Sequence, residues 1–208
     1  MIKKIMSICF ITIITLGVLV APVSAETSLI SVEEYEQYLK ENSIETYSQF
    51  VMLSKNDKEK TVKLLSVPDV WLGESDDPNV EYSEEQENNS LARVLMLRAS
   101  DKSSWHEQYV HIFGLKILGI KSEIGYKTSG GNVTQINYHN TYVTVNLNPL
   151  LQISKDSQSS WIGGNGKYAV GRAVFKASFG VSGLSSQFKT ARSMFYVYES
   201  GKKEFSFN

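Results

Sequence analysis

The sequence predicts an α+β fold in which short N-terminal helices precede an antiparallel β-sandwich. Three observations support it: helical spacing of apolar residues before residue 72, alternation at period two after residue 91, and glycine-rich turns between the alternating segments. Seven or so strands at regular spacing in about 115 residues are typical of a sandwich, and a small β-barrel is the alternative.

The N-terminus has the pattern of a secretory signal peptide over residues 1–25. Two lysines come first, an apolar run follows, and small residues at 21–25 allow cleavage after Ala25. A retained signal anchor is the alternative. The single cysteine, Cys9, lies inside this segment, so a mature chain starting at Glu26 contains neither disulfides nor a catalytic thiol. We therefore expect a secreted, extracellular protein that folds by burying a core.

Residues 26–72 predict an acidic helical segment. Ser31 and Glu34 have the spacing of a capping box, in which each side chain accepts a hydrogen bond from the backbone N–H of the other residue. Serines open two further stretches with apolar residues at helical spacing, and Pro68 is expected to end the last one.

Residues 73–90 have the composition of a linker. Seven acidic residues come with no basic residue and almost no apolar ones. Such a segment buries too little surface to offset its ordering entropy, so we expect it to be mobile and open to proteolysis. A calcium loop is the alternative, but the regular spacing of its oxygen ligands is missing.

Residues 91–208 predict a basic antiparallel β-domain. Its clearest part is residues 114–147, which alternate at period two on both sides of Gly130-Gly131 and so predict a hairpin with a tight turn. Polar clusters at residues 101–104 and 154–160 predict a turn and a loop.

A second pattern in the β-domain predicts close packing between layers. Along residues 167–181, alanine, glycine and phenylalanine occupy alternate positions and would share one face of a strand. Small residues alternating with aromatic ones imply that another layer approaches closely.

Charge divides the chain into two halves. Residues 26–90 hold 16 acidic residues and five lysines, a net charge of −11, whereas residues 91–208 hold six acidic residues against 14 Lys and Arg, a net charge of +8. The division indicates an acidic segment that docks on a basic domain, or a basic face for an anionic partner. Acidic helices and linkers without a further role explain it equally well.

No motif in the sequence indicates catalysis or metal binding. His106 and His111 are five positions apart on an expected strand and would leave opposite faces, and adding His139 to one of them gives only two ligands. A nucleophile elbow and a phosphate-binding loop are both absent from the sequence. We expect a protein that is not an enzyme and uses no metal and no cofactor.

Aromatic and basic side chains of the β-domain are the better functional candidates. The tryptophans lie at loop edges and the tyrosines on strands, where asparagine and lysine neighbours suit a sugar or cell-wall surface. Tryptophans at strand ends often fill the core instead, and a mixed solvated face is the alternative to a basic one. The candidate binding residues are Trp105, Trp161, Tyr138, Tyr142, Lys121, Lys127, Lys167 and Arg172. Expected partners are anionic cell-envelope polymers or a membrane surface, not nucleic acid.

The layout resembles that of uncharacterised secreted proteins of Gram-positive bacteria, some of them bacteriocin-like. The residues that carry this resemblance are the signal peptide, Leu53-Ser54, and the segments 126–132 and 168–173.

The first hypothesis is a secreted, non-enzymatic effector, bacteriocin- or toxin-like, whose acidic pro-segment precedes a basic β-domain that acts on an anionic envelope. The charge division and the expected linker motivate it. The alternative is an extracellular cell-wall or glycan-binding module. A hydrolase with dispersed residues such as Glu107 or His111 is the third.

Overall fold

The computed structural model describes residues 30–86, 100–180 and 186–207, and the expected signal peptide lies outside these ranges. The helices are α1 Val32–Asn42, α2 Ile44–Val51, α3 Lys55–Leu65 and α4 Pro68–Leu72. The strands are β1 Val80–Gln86, β2 Ser100–Ile112, β3 Leu115–Ser129, β4 Asn132–Asn146, β5 Leu151–Gly163, β6 Tyr168–Phe179, β7 Ser186–Tyr198 and β8 Lys203–Phe207. A 3-10 turn, Gly164–Gly166, joins β5 to β6.

Serine caps begin three of the four helices. The capping box at α1 is present: the backbone N–H of Glu34 donates to Ser31 Oγ at 3.1 Å, and Ser31 N–H donates to Glu34 Oε2 at 2.7 Å. Ser43 and Ser54 cap α2 and α3 through their side chains, which accept hydrogen bonds from the backbone N–H groups of Thr46 and Asp57. As expected, α3 ends before Pro68, and Val67 between them is extended. Pro68 also begins α4, which was not expected, at a position where the missing N–H of proline has no helical partner in any case.

The described strands form two four-stranded antiparallel sheets, each with its strands in chain order. Sheet 1 is β1-β2-β3-β4 and sheet 2 is β5-β6-β7-β8. The expected hairpin joins β3 to β4, where Ser129 pairs with Asn132 and both glycines between them have positive φ, 57° and 74°. The α+β sandwich is thus confirmed, and the described strands do not close into the alternative barrel.

Two polar stretches expected as a turn and a loop are strands. Residues 101–104 belong to β2, where Lys102 pairs with Tyr126, and residues 154–160 belong to β5, where Ser157 pairs with Val174. β5 is an edge strand of sheet 2 and is exposed over most of its length, so polar side chains suit it.

The expected mobile linker, residues 73–90, contains strand β1, so this prediction is wrong for residues 80–86; residues 87–90 lie outside the described ranges. All seven residues of β1 pair with β2, from Val80 opposite Ile112 to Gln86 opposite His106. Composition alone misses this strand, since the pairing uses backbone groups and leaves the acidic side chains in solvent.

The helices and the strands share one hydrophobic core. Tyr35, Leu39 and Phe50 pack in the same cluster as strand residues such as Ile112 and Leu147. A hydrogen bond also joins the helices to the strands: the Tyr35 hydroxyl of α1 donates to the Leu147 carbonyl, after β4, at 3.0 Å. The helical layer therefore covers one end of the sandwich. No helix in the described ranges is both long enough and apolar enough to span a membrane.

The alternating small residues of β6 face sheet 1, as their pattern predicts. Ala169, Ala173 and Phe175 are buried, and Gly171 lies so close to the His139 ring of β4 that a Cβ there would overlap it. The sheets approach each other closely at this point.

Candidate functional site

Five of the eight candidate residues lie on one surface, the outer face of β2, β3 and β4. We call this surface the platform face. Strand pairing places its residues in three adjacent rows, each of which crosses β2, β3 and β4. The rows are Ser103-Gly125-Tyr138, Trp105-Glu123-Asn140 and Glu107-Lys121-Tyr142. Lys127 follows in the next row, between Asp101 and Gln135.

Tyr138 packs over the backbone of the neighbouring strand. Its ring covers Gly125 on the neighbouring strand so closely that a Cβ on that glycine would overlap the ring. The side chain is nevertheless 49% exposed, so one face of the ring rests on the backbone and the other faces solvent. An aromatic face held in this way is preorganised for stacking, because little side-chain freedom is lost on binding.

Trp105 and Tyr142 flank the middle of the platform face. Trp105 is partly buried, and the Lys121 ammonium lies 5.0 Å from its ring centroid in a cation–π contact. Tyr142 is also partly buried and pairs with Lys121 across the strands. Both rings are held in place by neighbouring strands, and neither is a core residue.

The lysines of the platform face are paired with carboxylates. Lys121 lies 3.9 Å from Glu123, and Lys127 lies 3.7 Å from Asp101. The buried Glu107 adds a further acid to the same face. The expected basic face is therefore not formed here: each lysine has a compensating acid, which leaves the surface close to neutral.

The other three candidates lie elsewhere. Trp161 and Arg172 are on the outward-facing positions of sheet 2, on the opposite side of the sandwich, and Lys167 precedes β6 at 3.7 Å from Glu199. The structure does not bring these three residues together with the other five. The sequence could not show this, because parity along a strand does not reveal which sheet the strand joins.

One end of the platform face is closed by a polar cluster around Tyr109. The Tyr109 hydroxyl donates to Glu85 at 3.4 Å, Thr144 donates to Glu107, and the Lys116 ammonium lies 3.7 Å above the Tyr109 ring. Burial, with the adjacent carboxylates, raises the pKa of the Tyr109 phenol, so it stays protonated and acts as a donor. The cluster holds this end of the sheet rigid.

The histidines lie in three different environments. His106 stacks on Phe205 of β8 at 4.4 Å, His111 lies beside Ser83, and His139 lies between the sheets. Burial is the main cause that lowers the pKa of all three, to about 4 at His139. Within the described ranges no three His, Cys, Asp or Glu side chains are grouped so that they could hold a metal ion.

Sequence reasoning missed the residues that shape the platform face, above all Gly125, Glu123 and Asn140. Asn140 lies between the two tyrosines on the same face of β4, and its carbonyl oxygen Oδ1 accepts a hydrogen bond from Lys155 Nζ at 3.2 Å. Asn140 is two residues from each tyrosine, so alternation along one strand already indicates that the three side chains share a face. The sequence does not indicate that Tyr138 lies over Gly125, because that position depends on the register between two strands.

No protein-family model, curated protein or solved structure matches this chain. The fold and the platform face together define an α+β sandwich protein with a flat aromatic and polar surface on one sheet.

Proposed function

We propose that this protein is a secreted, non-enzymatic binding module of the cell envelope whose platform face holds an uncharged polysaccharide. The observation that carries the proposal is the Tyr138 ring, which packs over Gly125 and is 49% exposed to solvent. The carbon-bound hydrogens of a sugar ring make an apolar surface that stacks on such an aromatic face.

The neighbours of Tyr138 supply the polar part of such a site. Glu123 and Asn140 occupy the row between the tyrosines, where a carboxylate and an amide can exchange hydrogen bonds with sugar hydroxyls. Because Lys121 and Lys127 already have acidic partners, the face does not present the positive charge that an anionic polymer requires. This balance favours the glycan alternative over the anionic-envelope hypothesis.

The spacing of the aromatic rings favours a polymer over a small molecule. Tyr138 and Tyr142 are four residues apart on one strand, so their Cα atoms are about 13 Å apart along it. Trp105 lies two strands away, in the row between them. An open face of this extent contacts several consecutive units of an extended chain.

The proposal is tested by co-sedimentation with insoluble peptidoglycan, before and after removal of its anionic polymers. We expect Tyr138→Ala to weaken binding about fivefold or more, since a stacked aromatic ring contributes about 1 kcal/mol or more. Trp161→Ala is the matched control, because it removes an equally exposed ring, 42% against 49%, from the other sheet.

Salt distinguishes uncharged from ionic recognition in the same assay. Stacking on an uncharged glycan persists from 50 to 500 mM salt, roughly, whereas binding through exposed charges is screened over that range. Equal binding by the wild type and Tyr138→Ala at every salt concentration would overturn the proposal.

The bacteriocin-like effector is a second candidate, favoured by a different surface. Trp161 is 42% exposed at the end of β5, on the same outer face of sheet 2 as Arg172. An exposed aromatic side chain on the same face as a cation suits a membrane surface. In that case Trp161→Ala would abolish leakage of vesicles that contain anionic lipid, and Tyr138→Ala would leave it unchanged.

A further inference from the structure

The platform face continues into a polar pocket of about 520 Å³ between helix α2 and sheet 1. Its sheet wall includes Thr144 and Asn146, which follow Tyr142 on β4, and Lys116 on β3. Gln49 and Glu45 of α2 form the opposite wall. From Tyr142 to Asn146 is about 13 Å along the strand, so the pocket begins where the aromatic rows end.

The lining of the pocket carries both hydrogen-bond donors and acceptors and little net charge. Lys116 supplies one positive charge and Glu45 one negative charge. Burial, with the nearby Lys116 charge, lowers the pKa of His111, so its ring is neutral near pH 7 and offers one donor and one acceptor. Such a lining matches hydroxyl and acetamido groups better than it matches a phosphate or an apolar ligand.

The Lys116 side chain is held at the edge of the pocket. Its ammonium lies 3.7 Å from the Tyr109 ring centroid and 4.0 Å from Glu85, on the side towards the platform face. The volume of the pocket falls within the range of small-molecule sites and is ample for one or two sugar units.

From this geometry we infer that the pocket is a terminal subsite that receives the last one or two sugar units of an uncharged glycan lying on the platform face. The inference rests on the proposed function, and it adds that the helical segment supplies one wall of the site. An aromatic face binds the middle of a chain, whereas a pocket with a helix on one side and a sheet on the other recognises its end.

The test measures binding of soluble N-acetylglucosamine oligomers, from one to six units, to the full-length chain by calorimetry. Gln49→Trp places a large side chain at the mouth of the pocket from an exposed position of α2. Ser48→Trp is the matched control, because Ser48 is also exposed on α2 but is not part of the pocket wall.

We expect Gln49→Trp to weaken binding of the oligomers about tenfold and to change co-sedimentation with long insoluble glycan less than twofold, since few of its units are chain ends. Ser48→Trp should change neither. Unchanged oligomer affinity in Gln49→Trp, with affinity lost in Tyr138→Ala, would overturn the terminal subsite alone. If Tyr138→Ala leaves the binding of both oligomers and polymer unchanged, the proposed function is overturned as well.

Discussion

At the scale of single residues, His139 is the histidine whose pKa is lowered most by burial. It lies between the sheets, and its Nε2 is 2.9 Å from Thr141 Oγ1. The Thr141 hydroxyl also forms a hydrogen bond with the Ser122 hydroxyl. Ser122 Oγ in turn lies 3.4 Å from Ser193 Oγ of sheet 2. A short row of buried polar side chains thus crosses from one sheet to the other, where burial disfavours an added charge.

This position predicts an acid-dependent loss of stability. Burial lowers the pKa of folded His139 from 6.5 to about 4, so between these pH values the unfolded state binds more protons and stability falls as pH falls. From pH 7.5 to 4.5 the loss is roughly 2–3 kcal/mol. Urea unfolding at both pH values should show that His139→Gln loses less stability than the wild type by about this amount.

The control for that measurement is His111→Gln, which replaces a histidine that is only partly buried at the sheet surface. Carboxylates such as Asp77 titrate in all three proteins and cancel in the comparison. An equal loss of stability in the wild type and in His139→Gln would show that protonation of His139 is not what destabilises the fold.

The sequence predicts some of these residues and not others. It indicates that Tyr138 and Tyr142 share a face, because alternation along one strand requires it. It does not indicate that Lys121 and Lys127 are neutralised, since Asp101 lies on a different strand from Lys127. The net charge of a segment therefore says little about the net charge of a surface whose residues come from three strands.

At the scale of elements, two glycines, one in each sheet, make a matched pair. Gly125 of β3 lies under the Tyr138 ring on the outer face, and Gly171 of β6 lies under the His139 ring between the sheets. In both places an added methyl group would overlap an aromatic ring. The difference is that the Tyr138 ring lies at the surface, 49% exposed, whereas His139 is buried between the sheets.

We expect Gly171→Ala to lower the free energy of unfolding by about 1–3 kcal/mol, because the sheets must separate or His139 must leave its favoured position. Gly125→Ala should lower the free energy of unfolding less than Gly171→Ala does, because the displaced Tyr138 ring is at the surface and not between the sheets. It should still weaken glycan binding as much as Tyr138→Ala, because the ring no longer packs over the β3 backbone. Chemical denaturation and co-sedimentation on the same samples measure both effects, and equal destabilisation by the two substitutions would contradict this account.

Strands β1 and β5 show where pattern-based reasoning fails at this scale. Residues 154–160 are polar throughout, and β1 carries Glu81, Glu84 and Glu85 among its seven residues. Both strands lie at sheet edges, where one side of the backbone is unpaired and polar side chains are favourable. The strands with a buried face, such as β3 and β6, alternate clearly and are predicted correctly.

At the scale of the whole molecule, the acidic N-terminal half is built into the fold. β1 pairs with β2 along its full length, and Glu85 lies 4.0 Å from Lys116 of β3. The charge division seen in the sequence thus includes contacts between the two halves. The helices contribute eight buried apolar residues to the shared core. These are Tyr35, Leu39, Phe50, Val62, Leu64, Leu65, Val70 and Trp71.

This packing predicts that residues 91–208 do not fold alone. Without the N-terminal half, strand residues such as Ile112, Leu115 and Ile117 become exposed, and burying each large apolar side chain stabilises a fold by about 1.5–3 kcal/mol. Losing several of them approaches the total stability of a domain, about 5–15 kcal/mol. Near-ultraviolet circular dichroism should therefore show fixed aromatic packing in a chain starting at Glu26 and none in a chain starting at Leu91.

The same comparison separates the two functional candidates. A chain from Leu91 that is soluble, has native aromatic signals and permeabilises anionic vesicles would contradict this prediction and support a removable pro-segment. If the shorter chain is unfolded, a cut between the halves cannot release an active β-domain, because strand β1 and the helical wall of the pocket are lost with the acidic half. Binding must then be a property of the complete α+β protein, since α2 and sheet 1 supply opposite walls of the same pocket.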